Sequence, residues 1–123
     1  MPVATLSEAP EFVLGDAVFR SLAVPSRGST QFAIWALELA PGMSGEAHSL
    51  DCEEVLVIHS GRINATIGTQ EVQAGPGDAV IVPMQTSFAL RNAGSEAVHA
   101  TAITSAGFLA TLGDRTMTPP WSL

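Results

Sequence analysis

The chain has 123 residues, which is enough for one compact domain with a hydrophobic core and too few for two such domains. Hydrophobic residues make up 46% of the chain and charged residues only 14%, so the composition indicates a folded and not a disordered protein. All five basic residues are arginines and the net charge is −7, which disfavours nucleic acid as a partner and excludes catalysis by a lysine.

The single cysteine and the first residues bear on the cellular compartment. Cys52 has no second cysteine with which to form an internal disulfide. The N-terminal stretch has neither the basic region nor the long apolar region of a secretion signal, and no apolar run reaches the roughly 18 residues that a membrane helix needs. We therefore predict a cytoplasmic protein without a membrane segment.

Short apolar or alternating runs, separated by Gly, Pro, Asn, Asp and Ser, fill most of the chain, and this rhythm predicts an all-β protein, either a sandwich or a small barrel. A predicted N-terminal arm over 1–16 either pairs with a sheet or frays. A weak helical signal lies near 106–112, within a predicted surface tail over 106–123. The nine predicted strands are, in chain order, 11–14, 17–24, 31–40, 53–60, 62–68, 70–74, 78–83, 87–92 and 97–105.

A spaced set of residues in the middle of the chain resembles the first motif of the cupin family. That motif consists of a glycine, a histidine, a second histidine, a glutamate and a second glycine at fixed intervals. Gly42, His48, Glu54 and Gly61 match four of the five positions, and Leu50 stands where the second histidine is expected. The resemblance implies that His48 and Glu54 face the interior of a barrel.

A second set of residues resembles the second cupin motif, which contains a glycine, a proline, an inner glycine, a histidine and an asparagine. Gly77, Pro83 and Asn92 keep the spacing of that motif, whereas Gln85 replaces the inner glycine and Phe88 the histidine. The joint spacing of two motifs is more specific than either motif alone.

The resemblance covers about residues 30–105 and implies a single-domain cupin over 1–123, that is, a β-jelly roll or small β-barrel. The N-terminal arm could pair with the sheet of a partner as well as with its own, and we predict a homodimer.

In cupins, three histidines and the glutamate bind a divalent metal. Only His48 and Glu54 remain in this chain, so no tight metal site is expected and at most a weakly held divalent metal. His99 is a candidate for a substitute ligand, although a surface position is the more frequent outcome for such a residue. Strand alternation predicts that His59 points away from Glu54, and that Cys52 lies near the cavity either as a contact or as an inert thiol.

The predicted cavity has a polar pair, His48 and Glu54, and an apolar wall. Such a cavity suits a small carbonyl-bearing or hydrophobic metabolite. Burial is expected to raise the pKa of Glu54, whereas pairing with His48 would lower it. The first hypothesis is an isomerase or cyclase that uses the pair for proton transfer, and the second is a binding module without catalysis. A dioxygenase with His99 as a ligand is the third hypothesis, and the pair could also simply satisfy each other. The predicted wall consists of Leu50, Leu56, Ile58, Phe88 and Leu90.

Overall fold

The computed structural model describes residues 3–123, so Met1 and Pro2 of the predicted arm lie outside the described residues. Two short 3-10 turns accompany twelve strands in this part of the chain, at Pro25–Arg27 and Pro120–Ser122. The strands are β1 (Glu11–Leu14), β2 (Ala17–Ser21), β3 (Phe32–Leu39), β4 (Ser49–Leu50), β5 (Glu54–Ser60), β6 (Ile63–Ile67), β7 (Gln70–Ala74), β8 (Ala79–Val82), β9 (Phe88–Arg91), β10 (Val98–Ser105), β11 (Ala110–Leu112) and β12 (Arg115–Met117).

The strands form three antiparallel sheets around one core. A six-stranded sheet has the order β1-β2-β3-β10-β5-β8, and a three-stranded sheet has the order β7-β6-β9. A smaller sheet, β12-β11-β4, joins the C-terminal region to the first motif. Inward side chains of the first two sheets belong to one hydrophobic cluster, which makes the protein a jelly-roll β fold.

All nine predicted strands are present, and the arm at β1 pairs with β2 of its own sheet over Glu11–Leu14. The helical signal near 106–112 is wrong, because this region turns and then forms β11, which pairs with the two-residue strand β4. Strands of two or three residues are too short to show an alternation of apolar and polar side chains. The two strands β4 and β11 also lie about sixty residues apart in the sequence. No helix within residues 3–123 is long and apolar enough to cross a bilayer.

The motif glycines occupy backbone conformations that favour glycine. Gly42, Gly61 and Gly77 have φ angles of 81°, 78° and 90°. Gly61 is also sterically restricted, because a Cβ atom there would lie 2.6 Å from the carbonyl oxygen of Ala97. Gln85, which replaces the inner glycine of the second motif, keeps a left-handed φ of 56°, and its N–H donates to the carbonyl of Leu50 at 2.7 Å.

Asn92 connects the six-stranded sheet to the sheet β7-β6-β9 at one end of the fold. Its side chain is fully buried, and its Nδ2 donates to the carbonyl oxygens of Leu39, Ala40 and Glu96 at 3.1, 3.2 and 2.8 Å. Its Oδ1 accepts from the backbone N–H of Gly94 at 3.1 Å. The second motif therefore holds the end of β3 against the end of β9 through one carboxamide group.

The last residues of the chain pack on the inner side of β2. The rings of Trp121 and Phe19 stack with centroids 3.7 Å apart, and Ser21 Oγ donates to the carbonyl of Trp121 at 2.7 Å. Trp35 lies in the core at 4% exposure and stacks against Phe108. The predicted surface tail is thus part of the packed structure.

Replacement of Asn92 by Ala is expected to destabilise the protein by on the order of 3 kcal/mol, because buried carbonyl groups lose their donor. Urea unfolding followed by circular dichroism measures this loss. Asn64→Ala is the matched control, since Asn64 is half-buried in β6 and no side-chain hydrogen bond fixes it within the described residues. Equal losses in the two variants would contradict the role assigned to Asn92.

Candidate functional site

Glu54 is the most unusual ionisable residue of the interior. It begins β5, where burial alternates from Glu54 through Leu56 to Ile58 while Val55 and Val57 point to the other side. The predicted strand parity is therefore confirmed. Glu54 is only 5% exposed although it carries a carboxyl group.

No side chain or backbone group among residues 3–123 forms a hydrogen bond or ion pair with the Glu54 carboxyl group. Burial raises the pKa of Glu54 to about 8, which is the direction expected of burial without a charged partner. The carboxyl group is therefore mainly protonated and neutral at pH 7. In that form it can donate a proton to a bound group and accept one back.

His48 lies at the edge of the first motif, opposite Phe88. The two residues exchange backbone hydrogen bonds of 2.9 and 2.8 Å, and their rings lie 4.2 Å apart between centroids. Nδ1 of His48 lies 3.1 Å from the carbonyl oxygen of Glu46, which can only accept, so Nδ1 carries the proton of that bond. This tautomer leaves Nε2 as the nitrogen available to a ligand.

The structure does not join His48 and Glu54 as a pair. The ion pairs within the described part of the chain involve Arg20 and Arg91, and none connects the two candidate residues. Desolvation is the resolved cause of the raised pKa of Glu54, with no contribution from His48. The hypothesis that the two groups satisfy each other is therefore wrong, because His48 has its hydrogen-bond partner in the backbone.

The predicted apolar wall is closely packed. Leu50, Leu56, Ile58 and Phe88 are between 0% and 4% exposed, and Leu90 is 9% exposed. All five side chains belong to the main hydrophobic cluster. The packing makes them core residues in this conformation, and their contact with a ligand stays a prediction.

Two clefts lie on the surface of the described residues, and Glu54 lines neither of them. A cleft of about 440 Å³ lies between β7 and β8, and one of about 210 Å³ lies beside β6 and β9. Leu90 lines the second cleft, whereas His48 and the other predicted wall residues line neither. The cavity expected around Glu54 corresponds to neither of these two clefts.

The two other histidines lie on the far side of the six-stranded sheet. His59 is exposed, and its Nε2 is 2.7 Å from Oγ1 of Thr101. His99 is exposed on β10, while its neighbours Val98 and Ala100 point into the core. His99 is therefore not a substitute ligand next to Glu54, because strand alternation turns it outward.

The metal site of the cupin pattern does not fit the residues present. Leu50 and Phe88 have no lone pair to offer, and His59 and His99 face outward. Within 3–123, no group of three or more His, Cys, Asp or Glu side chains is arranged to hold a metal ion.

Cys52 packs against the core at the entrance to β5. It is half-buried, and its Sγ lies 3.5 Å from Oδ1 of Asp51. Desolvation raises the pKa of the thiol, which keeps it protonated and poorly nucleophilic. These surroundings favour an inert thiol over a cysteine with a chemical role.

Two further residues are buried on the inner side of the six-stranded sheet. Thr104 is buried on the inner side of β10, and its Oγ1 donates to the carbonyl of Glu53 at 2.7 Å. The indole nitrogen of Trp35 is buried without a hydrogen-bond partner in the described residues. Trp35 lies opposite Ala102, which in turn lies opposite Leu56, the next inward residue after Glu54. Alternation along β3 and β10 could have placed both inward, but only their register brings them near β5.

Many solved structures resemble this fold, and three of them are described here. The polyketide cyclase RemF from Streptomyces resistomycificus is 14% identical at a TM-score of 0.79, with 88% of this chain and 81% of that chain covered. A sugar phosphate isomerase of the cupin superfamily from Silicibacter pomeroyi is 17% identical at a TM-score of 0.73, with 93% and 83% covered. A 7S globulin from Momordica charantia is 22% identical at a TM-score of 0.78, and the match covers 91% of this chain but only 38% of the globulin.

At these identities the structural likeness establishes the fold alone. No match was found in sequence among curated proteins. A family model described as a cupin domain matches residues 35–104, a range that contains both motifs in full. Over half of the chain therefore matches one family, and the protein belongs to the cupin family.

Proposed function

We propose that this cupin binds a small carbonyl-bearing metabolite in its barrel and catalyses an isomerisation or cyclisation by proton transfer at Glu54. The observation that carries this proposal is the buried carboxyl group of Glu54, which has no hydrogen-bond partner in the described residues and a pKa raised to about 8. A group that titrates near neutral pH can act both as an acid and as a base.

The polar groups around Glu54 suit a ligand with an acceptor oxygen. A neutral carboxyl group offers one O–H donor, and the unpartnered indole N–H of Trp35 offers another on the same inner side. In the proposed reaction, Trp35 donates to the carbonyl oxygen, and the ionised Glu54 removes a proton from the adjacent carbon. His48 contributes Nε2 at the edge of the site. The apolar side chains exclude water and orient the ligand.

The comparisons are compatible with this reaction class without specifying a substrate. One structural neighbour is named as a polyketide cyclase and another as a sugar phosphate isomerase. Both reaction types move protons next to a carbonyl group. Because many activities share this fold, Glu54 and not the structural neighbours supports the proposed reaction.

A second candidate is a cupin that binds a ligand without catalysis. The specific observation in its favour is the tight packing of the predicted wall, where Leu56, Ile58 and Phe88 are at most 1% exposed. A ligand must displace packed side chains before it reaches Glu54. An interior of this kind would fit a slow binding protein better than a rapid enzyme.

The partner and compartment are also part of the proposal. We propose a small-molecule ligand, a homodimer and a cytoplasmic location. The dioxygenase hypothesis loses its support, because the substitute ligand that it needs, His99, faces away from the barrel interior.

The raised pKa of Glu54 predicts how stability depends on pH. The contribution of Glu54 to the free energy of unfolding is fully present below the unfolded pKa of 4.5 and decreases as pH rises. It is lost above about 8, because the folded protein then holds a buried charge. Between these two pH values, the free energy of unfolding of the wild type should fall by on the order of 4 kcal/mol relative to that of Glu54→Gln. Urea unfolding of both proteins from pH 5 to pH 9 measures the difference.

Glu53→Gln is the matched control for this experiment, since Glu53 is the adjacent carboxyl group and is exposed. It should keep the pH dependence of the wild type. A constant difference between wild type and Glu54→Gln at all pH values would show that Glu54 ionises normally.

The proposed catalysis is testable without knowledge of the substrate. Acetone, cyclohexanone and acetoacetate are incubated with the protein in deuterated buffer, and exchange of the protons adjacent to the carbonyl is followed by NMR. We expect catalysed exchange that increases with pH and levels off above about 8, where Glu54 is ionised. Glu54→Gln should lose it and Glu53→Gln should retain it. Binding of a ketone in a thermal-shift assay without any exchange would favour the second candidate.

We predict well under one equivalent of tightly bound transition metal in protein purified without a histidine tag. The double variant Leu50→His and Phe88→His should bind metal much more tightly, because both positions lie inside the barrel with His48 and Glu54. Elemental analysis after dialysis against a chelator provides the measurement. A full equivalent retained by the wild type would contradict the prediction.

A further inference from the structure

One large side chain of the core lies outside the sheets. Val24 and Phe108 are the two buried hydrophobic residues within 3–123 that no strand carries. Phe108 is only 2% exposed, although its neighbours Gly107 and Leu109 in the loop between β10 and β11 are exposed. We call this loop, residues 106–109, the gate loop. A ring that belongs to a loop can leave the core while every strand keeps its pairing.

The ring of Phe108 lies next to the residues on which the proposed reaction depends. It stacks against the indole of Trp35, with ring centroids 5.8 Å apart and planes inclined by 19°. The N–H of Leu109 donates to Oδ1 of Asp51 at 2.8 Å, and the N–H of Asp51 donates to the carbonyl of Leu109 at 3.0 Å. Because Asp51 precedes Glu54 by three residues, the gate loop lies at the end of the barrel where β5 begins.

Beyond the ring of Phe108, hydrogen bonds near the surface hold the gate loop. Oγ1 of Thr118 donates to the carbonyl of Phe108 at 2.9 Å, and the bonds between Leu109 and Asp51 fix the other side. Thr118 and Asp51 are partly exposed, so water can replace these bonds when the loop moves. The main cost of opening is therefore the exposure of one phenyl ring, and local openings of this kind occur without global unfolding.

We propose that Phe108 occupies the place that the ring of the ligand takes in the complex, and that the gate loop opens to admit it. This inference rests on the proposed function and names its substrate class, a carbonyl compound with a flat six-membered ring. A phenyl group is the shape that packs against Trp35 in this structure. A flat ring of the ligand recovers the stacking that Phe108 gives up, so the exchange of rings leaves no empty cavity.

The opening of the loop is measured by NMR as hydrogen exchange of the two indole N–H groups in heavy water. Neither has a hydrogen-bond partner in the described residues, so burial alone protects them. The closed loop requires a φ of 78° at Gly107, which disfavours alanine by about 10-fold. In Gly107→Ala we expect exchange at Trp35 to be about 10-fold faster and exchange at Trp121 to be unchanged.

Gly113→Ala is the matched control for this measurement. Gly113 has a φ of 62° in the turn between β11 and β12, and a Cβ atom added at either glycine has open space around it. Its variant should keep both indole exchange rates of the wild type. Unchanged exchange at Trp35 in a folded Gly107→Ala protein would overturn the gate.

The ligand class is tested with acetophenone and acetone, two methyl ketones of which one carries a flat six-membered ring. Titration of the Trp35 indole signal gives the dissociation constants, and we expect at least 10-fold tighter binding of acetophenone by the wild type. Saturating acetophenone should also remove the nuclear Overhauser contacts between Phe108 and Trp35. Phe108→Ala should bind acetophenone at least 10-fold more tightly than the wild type, because no side chain competes for the place. Leu112→Ala is the control, since Leu112 is 39% exposed on β11.

Folding of each variant is checked by thermal unfolding, and Gly107→Ala, which removes no buried side chain, keeps the test valid if Phe108→Ala fails to fold. Acetophenone that binds at Trp35 while the contacts with Phe108 persist would overturn the inference. Catalysed proton exchange in both ketones, with Gly107→Ala and Phe108→Ala equal to the wild type, would overturn the gate and leave the proposed function standing. The expected binding and indole exchange without any catalysed proton exchange would support the gate and overturn the proposed catalysis.

Discussion

The arrangement of the six-stranded sheet and the sheet β7-β6-β9 depends on the hydrogen bonds of the Asn92 carboxamide. It connects the end of β3, in the six-stranded sheet, to the residue that follows β9 in the three-stranded sheet. The backbone of Asn92 is also bound, since its N–H donates to Met43 and its carbonyl accepts from Gly42, both at 2.8 Å. The start of the first motif is thereby fixed to the end of the second. The segment from Gly42 to Glu54 enters the barrel from this fixed point.

Within the two motifs, the residues that shape the backbone match the cupin pattern better than the residues at its metal-binding positions do. The residues that shape the backbone, such as Gly61 and Asn92, match the cupin pattern, whereas Leu50 and Phe88, at two positions where that pattern has histidines, pack in the core. Glu54 remains as a buried carboxyl group without a partner in the described residues, which is a destabilising arrangement for the folded state. Such arrangements concentrate at functional sites, because a group optimised for chemistry is seldom optimised for stability.

Alternation of side chains along the long strands made the fold and the inward position of Glu54 predictable from the sequence. The same alternation placed His59 outward correctly. It could not place His99, whose orientation depends on the register between β10 and its neighbours. The strands β4 and β11 were missed because two or three residues have no measurable period and exist only through their mutual pairing. The close packing around Glu54 likewise depends on contacts between residues that are distant in the sequence, which a single sequence does not display.

The two tryptophans of the chain lie in separate parts of the structure, and this separation has a spectroscopic consequence. Trp35 reports on the barrel interior next to Phe108, and Trp121 reports on the docking of the C-terminal residues against Phe19. Both indole nitrogens are buried without a partner in the described residues, so both should emit at short wavelength in the folded protein. Release of the C-terminal residues would shift the emission of Trp121 toward red and leave that of Trp35 unchanged. Intrinsic fluorescence can therefore distinguish a loosened chain end from an opened barrel in a single spectrum.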